Sequence, residues 1–123
     1  MKKEKLITVG VVVLVLLIAG GIIYFKLYQG FGIRDTPAEQ VAKWIGENSI
    51  LYVQTGCIHC EEQEDLFGSN VRFLTIVDCL DNENTQKCID VGIVSTPTWI
   101  INGQKYAGVQ TIETLKSLTG YQD

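Results

Sequence analysis

Two cysteines separated by two residues, in Gly56-Cys57-Ile58-His59-Cys60, are the side chains of this sequence best suited to chemistry. They follow an apolar run ending at Val53 and precede a polar, helix-like stretch from Glu61 to Phe67, so the dithiol is expected at the start of a helix. At that position the pair can close a small disulfide, and the unpaired backbone N–H groups stabilise whichever sulfur carries negative charge. Cys57 is then the nucleophile and Cys60 the resolving thiol. His59 can add a hydrogen bond or, when protonated, a positive charge, which stabilises the reduced form and makes the disulfide more oxidising. Its plainer reading is a surface imidazole. Glu61, Glu62, Glu64 and Asp65 suit a helix N-terminus as a solvated face, although negative charge nearby raises a thiol pKa and opposes His59. Gln63 either hydrogen-bonds near the site or faces solvent.

The elements that must position this dithiol are also readable. Thr36-Pro37-Ala38-Glu39 supplies an N-cap, a proline at the first helical position and a capping-box glutamate, predicting a helix from Pro37 to about Glu47 with Val41, Trp44 and Ile45 on one face. Ile50 to Gln54 is short, apolar and bounded by turn residues, as in a buried strand. Arg72 to Val77, rich in β-branched and aromatic residues, predicts a second strand, joined to the first through the cysteine helix as a right-handed parallel βαβ unit. Asp81 to Thr85 offers caps for a short helix through about Asp90. Thr98–Ile101 and Gln104–Ala107 flank Asn102-Gly103, a preferred hairpin turn, and Thr111 to Thr119 reads as a closing helix with Gly120 as its C-cap. Trp44 and Trp99 are expected in the core.

The first quarter of the chain does something else. Leu6 to Phe25 carries no charge, and as a helix rising about 1.5 Å per residue it spans roughly the 30 Å core of a bilayer. Lys2, Lys3 and Lys5 precede it, whereas Lys26 and Arg34 are the bases in a comparable stretch beyond it, so the N-terminus is expected in the cytoplasm and the rest outside. A cleaved signal peptide shares the basic start and apolar run, with Ala19-Gly20-Gly21 as small residues for cleavage; the run continues through Ile22-Ile23-Tyr24-Phe25, which favours a retained anchor. The expected organisation is a cytoplasmic start and transmembrane anchor over 1–26, a tether over 27–35 containing Gly30 and Gly32, and one domain over 36–123. Residues 27–123 hold thirteen acids and six bases, a formal charge of −7 that argues against nucleic-acid binding. Four cysteines facing an oxidising compartment suggest two disulfides, Cys57 with Cys60 and Cys79 with Cys88, although four thiols permit three pairings. Cys79–Cys88 is either a structural bridge or a second redox pair relaying electrons to a partner.

The order helix, strand, Cys-x-x-Cys helix, strand, helix, Thr-Pro, hairpin, helix resembles the thioredoxin fold, an α/β fold with a central mixed sheet flanked by helices, over residues 36–121. More closely, Gly56-Cys57-Ile58-His59-Cys60 with Gln63 and Leu66-Phe67, and Gly92 to Gly103 with Tyr106 and Gly108-Val109, resemble the thioredoxin-like domains associated with vitamin K epoxide reductase homologues. The resemblance implies a thiol–disulfide oxidoreductase without a cofactor. Its partners are then a vitamin K epoxide reductase-like membrane oxidase and the thiols of secreted or membrane proteins. It also implies that Pro97 is cis and that the Thr96 backbone faces the Cys57 sulfur and pairs with a bound substrate strand. The histidine between the cysteines resembles the strong oxidant DsbA. The sequence departs from thioredoxins at Leu51, where a buried acid would stand six residues before the first cysteine, and at Ile58, where proline would lie between the cysteines.

The competing class is a metal carrier, with Cys57, Cys60, Cys79, Cys88 and His59 as ligands for zinc or copper. The spacing disfavours it, because zinc ribbons repeat the Cys-x-x-Cys knuckle and here eight residues separate the second pair. Covalent haem needs a histidine directly after the second cysteine, where Glu61 stands. A passive chain-binding role predicts that Cys57→Ser leaves function intact.

Overall fold

The computed structural model describes residues 1–30 and 35–123, which fall into two compact units, Met1–Arg34 and Asp35–Asp123. In the first unit, α1 runs from Lys2 to Gly30, with apolar side chains exposed on every side. By length and composition this helix is able to cross a bilayer. Of the expected tether, 27–30 continue this helix and 31–34 lie outside the described residues.

The second unit is built on a four-stranded sheet of β1 (Ser49–Val53), β2 (Ile76–Asp78), β3 (Thr98–Ile101) and β4 (Gln104–Ala107), in the order β2-β1-β3-β4. β1 pairs parallel with β2 and antiparallel with β3, and β3 pairs antiparallel with β4. Successive strand residues point to opposite faces, so Leu51, Val53, Trp99 and Ile101 share one core with Ala42, Ile45, Cys60, Phe67 and Leu115. Three helices supply that layer: α2 (Pro37–Asn48), α3 (Ile58–Asp65) and α5 (Ile112–Thr119). Tyr52, Cys79 and Cys88 form a smaller core on the opposite face, beneath α4 (Asn82–Asp90).

Local signals set most boundaries. The Thr36 hydroxyl oxygen accepts from Glu39 N at 3.2 Å and Pro37 opens α2. The Glu39 carboxylate meets Lys43 at 3.2 Å and Arg72 at 4.0 Å, so only the threonine half of the expected box forms. Asn102 and Gly103, at φ 52° and 77°, close the β3–β4 hairpin, and Gly120 ends α5 at φ 72°. Two expectations are corrected. Arg72 and Phe73 belong to a 3₁₀ helix, Gly68–Phe73, and the second strand begins only at Ile76. The cause is tertiary: α2 presses on this segment at Gly46, where a Cβ would lie 1.9 Å from Phe73 O, and Lys43 and Arg72 sit over the Phe73 ring. Trp44 is not in the core but 38% exposed, its Nε1 donating to Thr119 O and its ring edge-on to Tyr121.

Candidate active site

The loop between β1 and α3 creates the reactive geometry. Gly56, at φ 81°, turns the chain so that Cys57 becomes the N-cap of α3, and Cys57 N donates to Gln54 O at 3.1 Å. Cys57 and Cys60 are disulfide-bonded, with Cα atoms 5.2 Å apart. Cys60 is buried and Cys57 half-buried, so Cys57 is the more accessible of the pair. Cys60 N–H points at Cys57 Sγ from 3.3 Å, the N-cap interaction that a serine or aspartate oxygen makes elsewhere. Across the site, the Thr96 hydroxyl lies 3.7 Å from the same sulfur and Thr96 O 3.6 Å from it. The Thr96–Pro97 peptide bond is cis, and Pro97 is buried. Gly108 N donates to Pro97 O at 2.8 Å and the Thr98 hydroxyl to Ser95 O at 2.7 Å, which ties this loop to the hairpin.

In a four-stranded β2-β1-β3-β4 sheet, a Cys-x-x-Cys disulfide at the helix start after β1 faces a cis-proline loop before β3. The fold is thioredoxin-like. No family model matches the chain. Over 78 residues, 58% of its length, the chain is 31% identical to the thiol-disulfide oxidoreductase LTO1 of Arabidopsis thaliana, and it spans 21% of that protein. Among solved structures, oxidized glutaredoxin 2 from Chlamydomonas reinhardtii aligns with a TM-score of 0.44 at 19% identity, over 69% of this chain and 94% of that one.

Within the thioredoxin-like domain, His59 stands apart from the sulfurs. Its side chain is 74% exposed and Nδ1 lies 3.3 Å from Glu62 Oε2, a contact that turns the ring along the outside of α3. Leu51, at the position of the absent acid, is fully buried in the main core. Partial burial, then the charges of Asp65, Glu61 and Asp78, raise the Glu64 carboxyl above its ordinary value of 4.5. Cys79 and Cys88 are also disulfide-bonded, with Cα atoms 5.8 Å apart. They lie in the core beneath α4, on the face of the sheet opposite Cys60. A groove of about 200 Å³ runs from this second disulfide past Gln54, Thr85 and Ile93 to Ser95 and Thr96.

Gln63 has a larger role than the sequence suggested. It is completely buried; Oε1 accepts from Trp99 Nε1 at 2.9 Å and from Gln110 N at 2.6 Å, while Nε2 donates to Gln110 O at 3.1 Å. One side chain thus joins the cysteine helix to β3 and to the segment entering α5. The available signal was its spacing of three from Cys60, which puts both on one helix face.

Proposed function

We propose that this chain is a membrane-anchored thiol–disulfide oxidoreductase that passes oxidising equivalents from a vitamin K epoxide reductase-like membrane oxidase to protein thiols outside the cytoplasm. The carrying observation is the Cys57 sulfur, accessible and approached by two donors, Cys60 N–H and the Thr96 hydroxyl, beside a cis proline. The Arabidopsis relative bears the name of the same activity. The membrane partner rests on the resemblance of the two motifs, the anchor on α1, and the orientation on the lysines before it.

The reaction uses only sulfur and protons. A substrate thiolate attacks Cys57 Sγ, the Cys57–Cys60 bond breaks, and Cys60 leaves as a thiolate that takes up a proton. A second substrate thiolate attacks the substrate sulfur of the mixed disulfide and releases Cys57, so that two electrons and two protons pass from substrate to site. Helix N–H groups and the Thr96 hydroxyl stabilise the Cys57 thiolate as it leaves, and a thiol whose pKa is lowered in this way leaves faster. Ile58 and Val94, 78% and 96% exposed on either side of the site, give an unfolded chain apolar surface on which to rest.

The reduction potential of Cys57/Cys60, equilibrated in glutathione buffers, tests the direction. A value between about −120 and −180 mV supports a disulfide donor, and one near about −270 mV overturns it in favour of a reductase. Cys60→Ser should accumulate mixed disulfides through Cys57; if Cys57→Ser transfers disulfides as well as wild type, the whole reading fails.

A further inference from the structure

We propose that Asp78 is a positioning residue for the reactive cysteine, holding the loop that presents Cys57 through a carboxylate clamp on Thr55. The inference rests on Cys57 being the exchanging thiol, as proposed above. Asp78 ends β2 and stands in register with Val53, the last residue of β1, on the same face of the sheet as the cysteine helix. From there the chain needs only Gln54, Thr55 and Gly56 to reach Cys57. Thr55 donates twice to Asp78: its backbone N–H to Oδ1 at 3.3 Å and its hydroxyl to Oδ2. Leu80 N–H donates to Oδ1 at 2.9 Å. Three donors converge on the two oxygens of one carboxylate, which accepts all three.

The remaining geometry explains why such a clamp is needed. Gly56 has open space around its Cα and a positive φ, and Thr55 itself is exposed, so apolar packing does not fix this loop. The donors around Cys57 sit on other segments, Cys60 N–H on α3 and the Thr96 hydroxyl before β3, and their hold on the sulfur depends on where the loop places it. Asp78 is itself anchored. Cys79 N donates to Val53 O at 2.9 Å, and the Cys79–Cys88 bridge ties the end of β2 to α4. The same donors hold the Asp78 carboxyl below its ordinary value, the Thr55 hydroxyl first and Leu80 N–H next, so it is an anion throughout the working range.

The test follows alkylation of Cys57 by iodoacetamide against pH, read by mass spectrometry of its peptide, in the full chain in lipid nanodiscs with Cys57–Cys60 reduced and Cys79–Cys88 kept intact. Thr55→Val keeps the Asp78 charge and removes the clamp's hydroxyl; it should slow alkylation at pH 7 about fivefold and move the profile to higher pH, while Thr55→Ser should behave as wild type. Asp78→Ala removes the acceptors and should also slow alkylation, adding little once Thr55→Val is present, because both break one contact. If Asp78 acted only through its charge, Asp78→Ala would speed alkylation by the same factor with or without Thr55→Val, and the clamp would be overturned. Variants with a lowered unfolding midpoint but a wild-type alkylation profile would overturn it equally. A wild-type Cys57 that alkylates no faster than an unperturbed thiol would instead sink the exchange reading on which the clamp rests.

Discussion

On the proposed reaction, the reactivity of the Cys57 sulfur depends on the donors that face it, and the Thr96 hydroxyl can be removed by a single substitution. Thr96→Val deletes the hydroxyl 3.7 Å from the sulfur while keeping the side chain's shape. A hydrogen bond to a charged group contributes about 1.5–3 kcal/mol and one pKa unit corresponds to about 1.36 kcal/mol; at this long distance the lower end applies, so the Cys57 thiol pKa should rise by about one. His59→Ala should shift it less, because the ring lies against Glu62 on the exposed side of α3; comparing the two variants by thiolate absorbance against pH checks the order. Glu64 gives a prediction for stability. Its carboxyl is raised in the fold by desolvation and neighbouring acids, so the folded state holds its proton more tightly than the unfolded chain. That contribution is fully present below the ordinary value of 4.5 and is lost as pH rises through the raised value. Glu64→Gln should therefore raise the thermal midpoint at pH 7, with the gain shrinking to nothing as the pH is taken below about 4.

Whole elements are held to the site by few connections, and those connections decide what substitution costs. Cys79–Cys88 closes a loop with a sequence separation of 9, for which loop-closure entropy gives about 2–3 kcal/mol. The Cys79→Ser/Cys88→Ser double variant should lose about that much in urea unfolding and still exchange disulfides through Cys57; near wild-type stability with lost turnover would mark the pair as a redox relay. Elements whose limits depend on neighbouring residues were legible in the sequence: the Thr36 cap, the Asn102-Gly103 turn, the αL stop at Gly120 and the dithiol at the start of α3. Where the deciding contact is remote, the sequence misled. Arg72-Phe73 has strand-forming side chains, yet the approach of Gly46 and the stacking of Lys43 on Phe73 impose a 3₁₀ turn. For Gln63 the sequence does not decide between a bond near the site and solvent, because its partners, Trp99 and Gln110, are 36 and 47 positions away. The Thr55–Asp78 clamp was invisible for the same reason, spanning 23 residues.

At the scale of the molecule, a domain with its own core follows a helix suited to a bilayer, and this pairing makes a quantitative claim about partners. The sheet, the dithiol and both disulfides lie within Asp35–Asp123, so the reduction potential of Cys57/Cys60 should be the same in the isolated 35–123 domain and in the full chain. Encounter with a membrane oxidase should differ. Confinement of both proteins to one bilayer replaces a three-dimensional search by a local one, and tethering of this kind raises effective concentration enough to increase apparent affinity by about 10²–10⁴-fold. Reoxidation of the full chain by an oxidase in the same proteoliposome should accordingly saturate at a concentration at least about 100-fold below that needed for the free 35–123 domain. The comparison should be insensitive to salt if the tether alone is responsible. A marked fall in both rates with added salt would instead assign part of the encounter to the −7 formal charge of residues 27–123 meeting a basic surface on the partner, because screening weakens exposed charge pairs and leaves the tether untouched. Equal saturation by the two forms would mean that the anchor places the domain at the membrane without serving this exchange.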